Sequence, residues 1–128
     1  DHPQSMTKAI DAYCARTGQD SPKKPADYVR VIFRSLAGRY KEVLGWLKEL
    51  QPELDIKRLH VIGGGSLNGH LMQMTADTLG MPVVAGPAEC TALGNVLVQL
   101  KACGELPTLK DMRDVAIAST ETKTYNPR

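Results

Sequence analysis

The spacing of apolar residues changes period several times along the chain. From Ser5 to Gly18, Met6, Ile10 and Tyr13 recur at helical intervals. Ser5 suits an N-cap and Gly18 a left-handed end, so a short first helix is expected. Gln19 to Lys24 is a polar turn carrying Pro22. Between Pro25 and Pro52, Val29, Ile32, Phe33, Leu36, Tyr40, Val43, Leu44 and Leu47 repeat at three and four. This predicts one long amphipathic helix, with Pro25 in its first turn and its apolar stripe laid on a sheet. Residues 56–62 alternate and then become continuously apolar and β-branched, the pattern of a strand buried on both faces. After Gly63, Gly64 and Gly65, the residues Leu67, Leu71, Met74, Thr75, Thr78 and Leu79 return to helical spacing as far as Gly80. Met81 to Ala85 reads as a second strand, with Pro82 near its start. Glu89 to Cys103, ended by Gly104, and Leu109 to Ala118 read as two further helices. From Ser119 onward the chain is polar and is expected to be extended or loose.

That order is an α/β pattern. A strand, a helix and a strand joined by short connections form a parallel βαβ unit with a right-handed crossover. Two strands are too few to bury their own edges. The apolar stripes on several helices therefore call for a larger sheet, and the chain is expected to be part of a domain. It divides into a helical lead-in (1–24), a helix-strand-helix-strand-helix core (25–104) and a tail (105–128). Its 128 residues amount to one ordinary domain. Asp1 stands where an initiator Met would, which fits a piece of something longer.

Charge and composition narrow the field. A formal net charge of +2 argues against a nucleic-acid footprint or a polybasic membrane patch. No apolar run reaches the roughly 18 to 20 residues of a membrane span, and Asp1-His2-Pro3-Gln4 lacks the opening of a signal peptide. Cys14, Cys90 and Cys103 are far apart, with no CxxC and no Cys/His cluster. The expectation is no metal site and three reduced thiols of a cytoplasmic protein, two of them buried on helices.

The strongest chemical signal is Val61-Ile62-Gly63-Gly64-Gly65-Ser66-Leu67-Asn68. A strand runs into glycines and then a helix, where bare backbone and free N–H groups favour an anion or a flat polar ring. A tight turn at a close strand–helix junction is the other reading. A P-loop needs a Gly-Lys-Ser or Gly-Lys-Thr, which the sequence lacks. The dinucleotide fingerprint matches at Gly63 and Gly65 but meets Asn68 where it needs glycine. About 20 residues on, its ribose-binding acid is replaced by Val83, Val84 and Ala85. His60 reads as a partly exposed strand residue and His70 as solvent-facing. Asp77 reads as a solvated charge or a cap to a neighbouring segment. No residue pair has the spacing of an acid–base or nucleophile–base couple.

The glycine run continues through Gln73, Thr75-Ala76-Asp77, Leu79-Gly80 and Pro82-Val83 to Glu89-Cys90-Thr91-Ala92-Leu93-Gly94-Asn95. Five elements in this order, with these gaps, resemble the C-terminal lobe of the FGGY carbohydrate kinases over nearly the whole chain. Within that family, Ala12 to Gln19 and Tyr125-Asn126-Pro127-Arg128 resemble the branch acting on L-rhamnulose more than the glycerol or xylulose branches. The resemblance implies an actin-like ATPase fold, with two ribonuclease-H-like lobes closing on ATP and Mg2+. It implies a sugar bound mostly by the other lobe, and a nucleotide site here at Gly63, Gly64, Gly65 and Asn68, with Asn68 near adenine. Ile62 stands where glycerol kinases often carry Asp, so a polar contact there is not expected. The family's D-x-G-T phosphate loop and its catalytic Asp are not in this chain. It is therefore expected to be the last quarter or so of a kinase, inactive without the remainder.

Overall fold

The computed structural model describes residues 3–128. Asp1 and His2, with which the expected lead-in begins, lie outside the described residues. The elements run α1 (Met6–Thr17), α2 (Pro25–Leu50), β1 (Leu59–Val61), a 3-10 turn (Gly64–Leu67), α3 (Gly69–Leu79), β2 (Val83–Ala85), α4 (Cys90–Ala102), α5 (Leu109–Ser119) and β3 (Lys123–Tyr125). The helix ends obey local chemistry. Ser5 Oγ accepts the Lys8 amide, and Gly18 closes α1 at φ 68°. Pro25 opens α2, where its missing N–H costs nothing. Thr108 and Asp111 cap α5 reciprocally.

β1 and β2 are parallel, with Leu59 opposite Val83 and Val61 opposite Ala85. The helix between them is α3, so the expected βαβ unit is present. Its buried face supplies Leu71, Met72 and Ala76 to a cluster with Val83 and Ala85, and Phe33, Leu59, Val61 and Tyr125 pack around it. Thr75 is fully buried beside them. Its hydroxyl donates to the Leu71 carbonyl at 2.7 Å, so no polar atom is stranded there.

Several expectations change. β1 is not buried on both faces, because His60 is exposed. β1 is an edge strand in the order β1-β2-β3. The stripe on α2 is only partly covered: Ala37 is buried, whereas Val29, Leu36 and Leu47 are exposed. Length explains this. A helix of 26 residues spans about 39 Å, while a three-residue strand spans about 10 Å, so most of the stripe has no sheet beneath it. On α1, Met6 and Tyr13 are exposed and Cys14 is buried instead. The Tyr28 hydroxyl donates to Asp11 at 2.9 Å, turning the face with Asp11 and Cys14 toward α2. Of the thiols only Cys14 is buried; Cys90 is half-buried and Cys103 exposed. Leu67 belongs to the 3-10 turn and is exposed, so α3 begins later than its apolar spacing suggests.

The tail also holds a strand. β3 pairs antiparallel with β2, Val83 opposite Tyr125. Three residues, Lys-Thr-Tyr, are too short to show an alternating pattern. Two side chains of α3 fasten the last residues of the chain, beyond β3. Gln73 Nε2 donates to the Asn126 carbonyl at 2.8 Å, and the Arg128 amide donates to Asp77 Oδ1 at 2.9 Å. Asp77 is thus the cap to a neighbouring segment. The loop after β2 is equally close to this tail. Gly86 has φ +106°, and a Cβ there would lie 2.9 Å from the Glu121 carbonyl oxygen.

This packing has two measurable consequences. Gly86→Ala is strained in both backbone and contact, and it is expected to lower the midpoint of urea unfolding by an amount equivalent to about 1–3 kcal/mol. The Asp77 carboxyl is held below its usual value of 3.8, first by the Arg128 amide and then by Gln73. A depressed acid stabilises the folded tail above the unfolded value and loses that effect as pH falls through the folded one. The amide resonance of Arg128 should therefore titrate below pH 3.8. Asp77→Asn should remove the Asp77 component of that titration, leaving only the part due to the α-carboxyl of Arg128.

Candidate functional site

Because β1 and β2 run the same way, their C-terminal ends open on one side, the usual place for ligands in open parallel sheets. The turn after β1 and the loop after β2 are joined there. The Gly63 amide donates to the Pro87 carbonyl at 3.0 Å, and the Gly86 amide to the Val61 carbonyl at 2.8 Å. Cys90 Sγ also donates to the Pro87 carbonyl at 3.1 Å.

Within the turn the glycines are not equivalent. Gly63 has φ 81° and ψ −178°, a region essentially closed to other residues. Its carbonyl accepts both the amide and the hydroxyl of Ser66, at 3.0 and 2.7 Å. Ser66 is buried by this arrangement, so Gly63 and Ser66 lock the turn. Gly64 and Gly65 carry no such constraint. Neither has a positive φ, both are exposed, and a Cβ on either would meet nothing within 4 Å. Their amides precede the first bond that the turn closes on itself, from Ser66 N to Gly63 O, so they face outward as donors.

Asn68 ends the turn and caps α3, its Oδ1 accepting the Leu71 amide at 3.1 Å. With the oxygen committed, the Nδ2 group faces solvent as a donor. Beside the turn, Ser66, Leu67, Gly86, Glu89 and Thr122 line a concavity of about 580 Å³. The expectation of a helix directly behind the glycines is replaced by this 3-10 turn. The outward amides are those of Gly64 and Gly65, while the start of α3 is closed by Asn68.

What the turn presents is backbone amides and the Asn68 side chain. Ser66 is the hydroxyl nearest the glycines, and it is committed to Gly63. His60 and His70 are exposed on β1 and α3. Among the described residues no three His, Cys, Asp or Glu side chains converge. All four expected site residues, Gly63, Gly64, Gly65 and Asn68, fall in one continuous turn. The locking roles of Ser66 and the Pro87 carbonyl were not legible in the sequence. The signal available for Pro87 was a Gly-Pro pair ending a strand parallel to the one that ends in the glycines.

Comparison with known proteins bears on this geometry. Residues 3–103 match the model of the FGGY family of carbohydrate kinases, C-terminal domain. The chain is 48% identical over 127 residues to a rhamnulokinase of Bacteroides thetaiotaomicron, covering 99% of this chain and 26% of that protein. It is 37% identical over 123 residues to a rhamnulokinase of Oceanobacillus iheyensis, covering 96% of this chain and 26% of that protein. The chain spans about a quarter of the length of these curated relatives. It belongs to the FGGY family of carbohydrate kinases.

Proposed function

We propose that this chain is the nucleotide-holding end of an ATP-dependent sugar kinase that phosphorylates the 1-hydroxyl of L-rhamnulose, with adenosine lying on the turn at Gly63, Gly64, Gly65 and Asn68. The observation that carries this reading is the contrast within the glycine run. Folding demands glycine at position 63 but sets no such demand at 64 or 65. Bare backbone there, with two outward amides and the Asn68 amide nitrogen beside them, suits a flat heterocycle or sugar resting directly on the chain. The tight-turn reading, in which the chain is a non-catalytic interaction module, accounts for Gly63 alone. The sugar assignment rests on the two rhamnulokinases.

In this reading the chain is the closing part of an actin-like lobe of ribonuclease-H type, in a cytoplasmic enzyme whose remainder supplies the sugar pocket and the phosphate loops. Bound ATP supplies the γ-phosphoryl group, and Mg2+ neutralises charge on it. The residues here orient the far end of the nucleotide. In this reading the ion is held by the phosphates and by residues outside this chain.

In the full-length enzyme, Gly64→Val is expected to raise the KM for ATP strongly while the sugar KM and the melting temperature stay nearly constant. The space above Gly64 is open, so the fold itself tolerates a side chain. Gly63→Ala should do the reverse, lowering stability by about 1–3 kcal/mol through backbone strain. If both variants shift ATP and sugar constants together with melting temperature, the nucleotide assignment fails. Asn68 allows a finer division. Asn68→Asp keeps the oxygen that caps α3 but loses the donor, so ATP affinity should fall about two- to tenfold, the worth of one net hydrogen bond, without loss of stability. Asn68→Ala should lose both, the cap costing about 1 kcal/mol.

A further inference from the structure

The concavity beside the glycine turn has a wall from outside the family's matched domain. Ser66 and Leu67 of the turn form one side and Pro87 of the loop after β2 a second. The third side is the tail, at residues 120–123. The match to the family's domain ends at residue 103. The similarity to the Bacteroides rhamnulokinase runs over 99% of this chain and so takes in the tail.

That third wall is anchored at both ends. Lys123 pairs with Ala85 where β3 meets β2. A Cβ at Gly86 would lie 2.9 Å from the Glu121 carbonyl oxygen and 3.6 Å from Thr122 Cα, so tail and loop are in direct contact. At the other end of β3, the Tyr125 hydroxyl would lie 3.1 Å from a Cβ at Gly69, the residue after Asn68. The tail therefore abuts both the loop that accepts the Gly63 amide and the helix that Asn68 caps.

The charged residues around the concavity are Glu89, Glu121 and Lys123. The Lys123 ammonium lies over the Tyr125 ring, 5.1 Å from its centre. Two carboxylates against one ammonium disfavour a polyphosphate and favour a neutral group that donates hydrogen bonds. Two hydroxyls nearby are already donating, Ser66 Oγ to the Gly63 carbonyl and Thr120 Oγ1 to the Ala116 carbonyl. With the base of adenosine flat on Gly64 and Gly65, the neutral donors adjoining it are the ribose hydroxyls. Glu89 belongs to the matched domain, whereas Glu121 belongs to the tail, exposed and set in place by the contact of its carbonyl with Gly86.

We infer that residues 120–123 are a wall of the nucleotide site contributed from outside the family's matched domain, and that the Glu121 carboxylate accepts the ribose hydroxyls of the nucleotide. The inference rests on the nucleotide reading of the glycine turn and adds a residue that selects ribonucleotides.

The test compares ATP with 2′-deoxy-ATP and 3′-deoxy-ATP as phosphoryl donors for the full-length enzyme, with L-rhamnulose as acceptor. The unaltered enzyme should prefer ATP to at least one deoxy analogue by about tenfold in kcat/KM, the worth of a hydrogen bond to a charged group. Glu121→Gln should raise the KM for ATP by about that factor, leave the constants for that analogue nearly unchanged, and so abolish the preference. Its sugar KM and melting temperature should stay constant, since the Glu121 side chain is exposed. Glu121→Asp, which keeps the charge, should retain part of the preference. Equal use of all three nucleotides by the unaltered enzyme would overturn the ribose contact. So would a Glu121→Gln variant that loses ATP and both deoxy analogues equally, or loses none. If Gly64→Val still raises the KM for ATP in that case, the turn keeps its nucleotide and only the tail wall is lost; if Gly64→Val spares ATP as well, both readings fall.

Discussion

Everything that positions the site depends on the contact between α3 and the parallel strand pair. Met72, Thr75 and Ala76 have no exposure, and neither does Val83 opposite them. Burying a Met or Val side chain contributes about 1.5–3 kcal/mol, and Met72 and Val83 are the largest fully covered side chains among the described residues. The contact also fixes direction. With α3 returning over the sheet, β1 and β2 must end on the same side. The glycine turn and the Gly86–Pro87 loop are then close enough for the Gly63 amide to reach Pro87 O. A local turn at Gly63 would exist without this; a turn held against a second loop would not.

The turn itself separates two demands that a sequence merges. Gly63 answers a backbone requirement, and Ser66 answers the resulting carbonyl with two donors. Gly64 and Gly65 answer nothing inside the chain. In the proposed reading, what answers them is the ligand that approaches from outside. Asn68 sits across the boundary, its oxygen serving α3 and its nitrogen free. A ligand bound to that nitrogen would hold the amide that caps the helix, so binding and helix stability are coupled through one side chain.

Much of the fold was legible in the sequence because it is written in local signals. Ser5, Gly18, Pro25 and Gly80 mark helix ends by chemistry that acts within a turn, and the parallel pair arises from strand, helix and strand with short joints. The Q-then-AD spacing was legible as a pattern but not as a mechanism. Gln73 and Asp77 act on Asn126 and Arg128, some fifty residues away. β3 was not legible, since its partner is set by long-range pairing and three residues carry no period. The burial of α2 was overestimated because a stripe records what a helix is suited to cover. It does not record how much sheet lies beneath it.

That last mismatch connects fold to function. β1 carries the glycine turn at its C-terminal end, yet it is an edge strand, with His60 and, just beyond the strand, Ile62 exposed. A strand held on one side alone is free to fray, and fraying at Val61 would release the Gly86 amide that it accepts. The loop carrying Pro87 would go with it, and the Gly63 amide would lose its acceptor. The order of the turn is therefore limited by the order of β1, immediately upstream. Whatever pairs with the outer edge of β1 sharpens the turn without touching a ligand. Preorganisation of bare backbone amides depends on that rigidity, because Gly64 and Gly65 have no side chains with which to hold themselves in place.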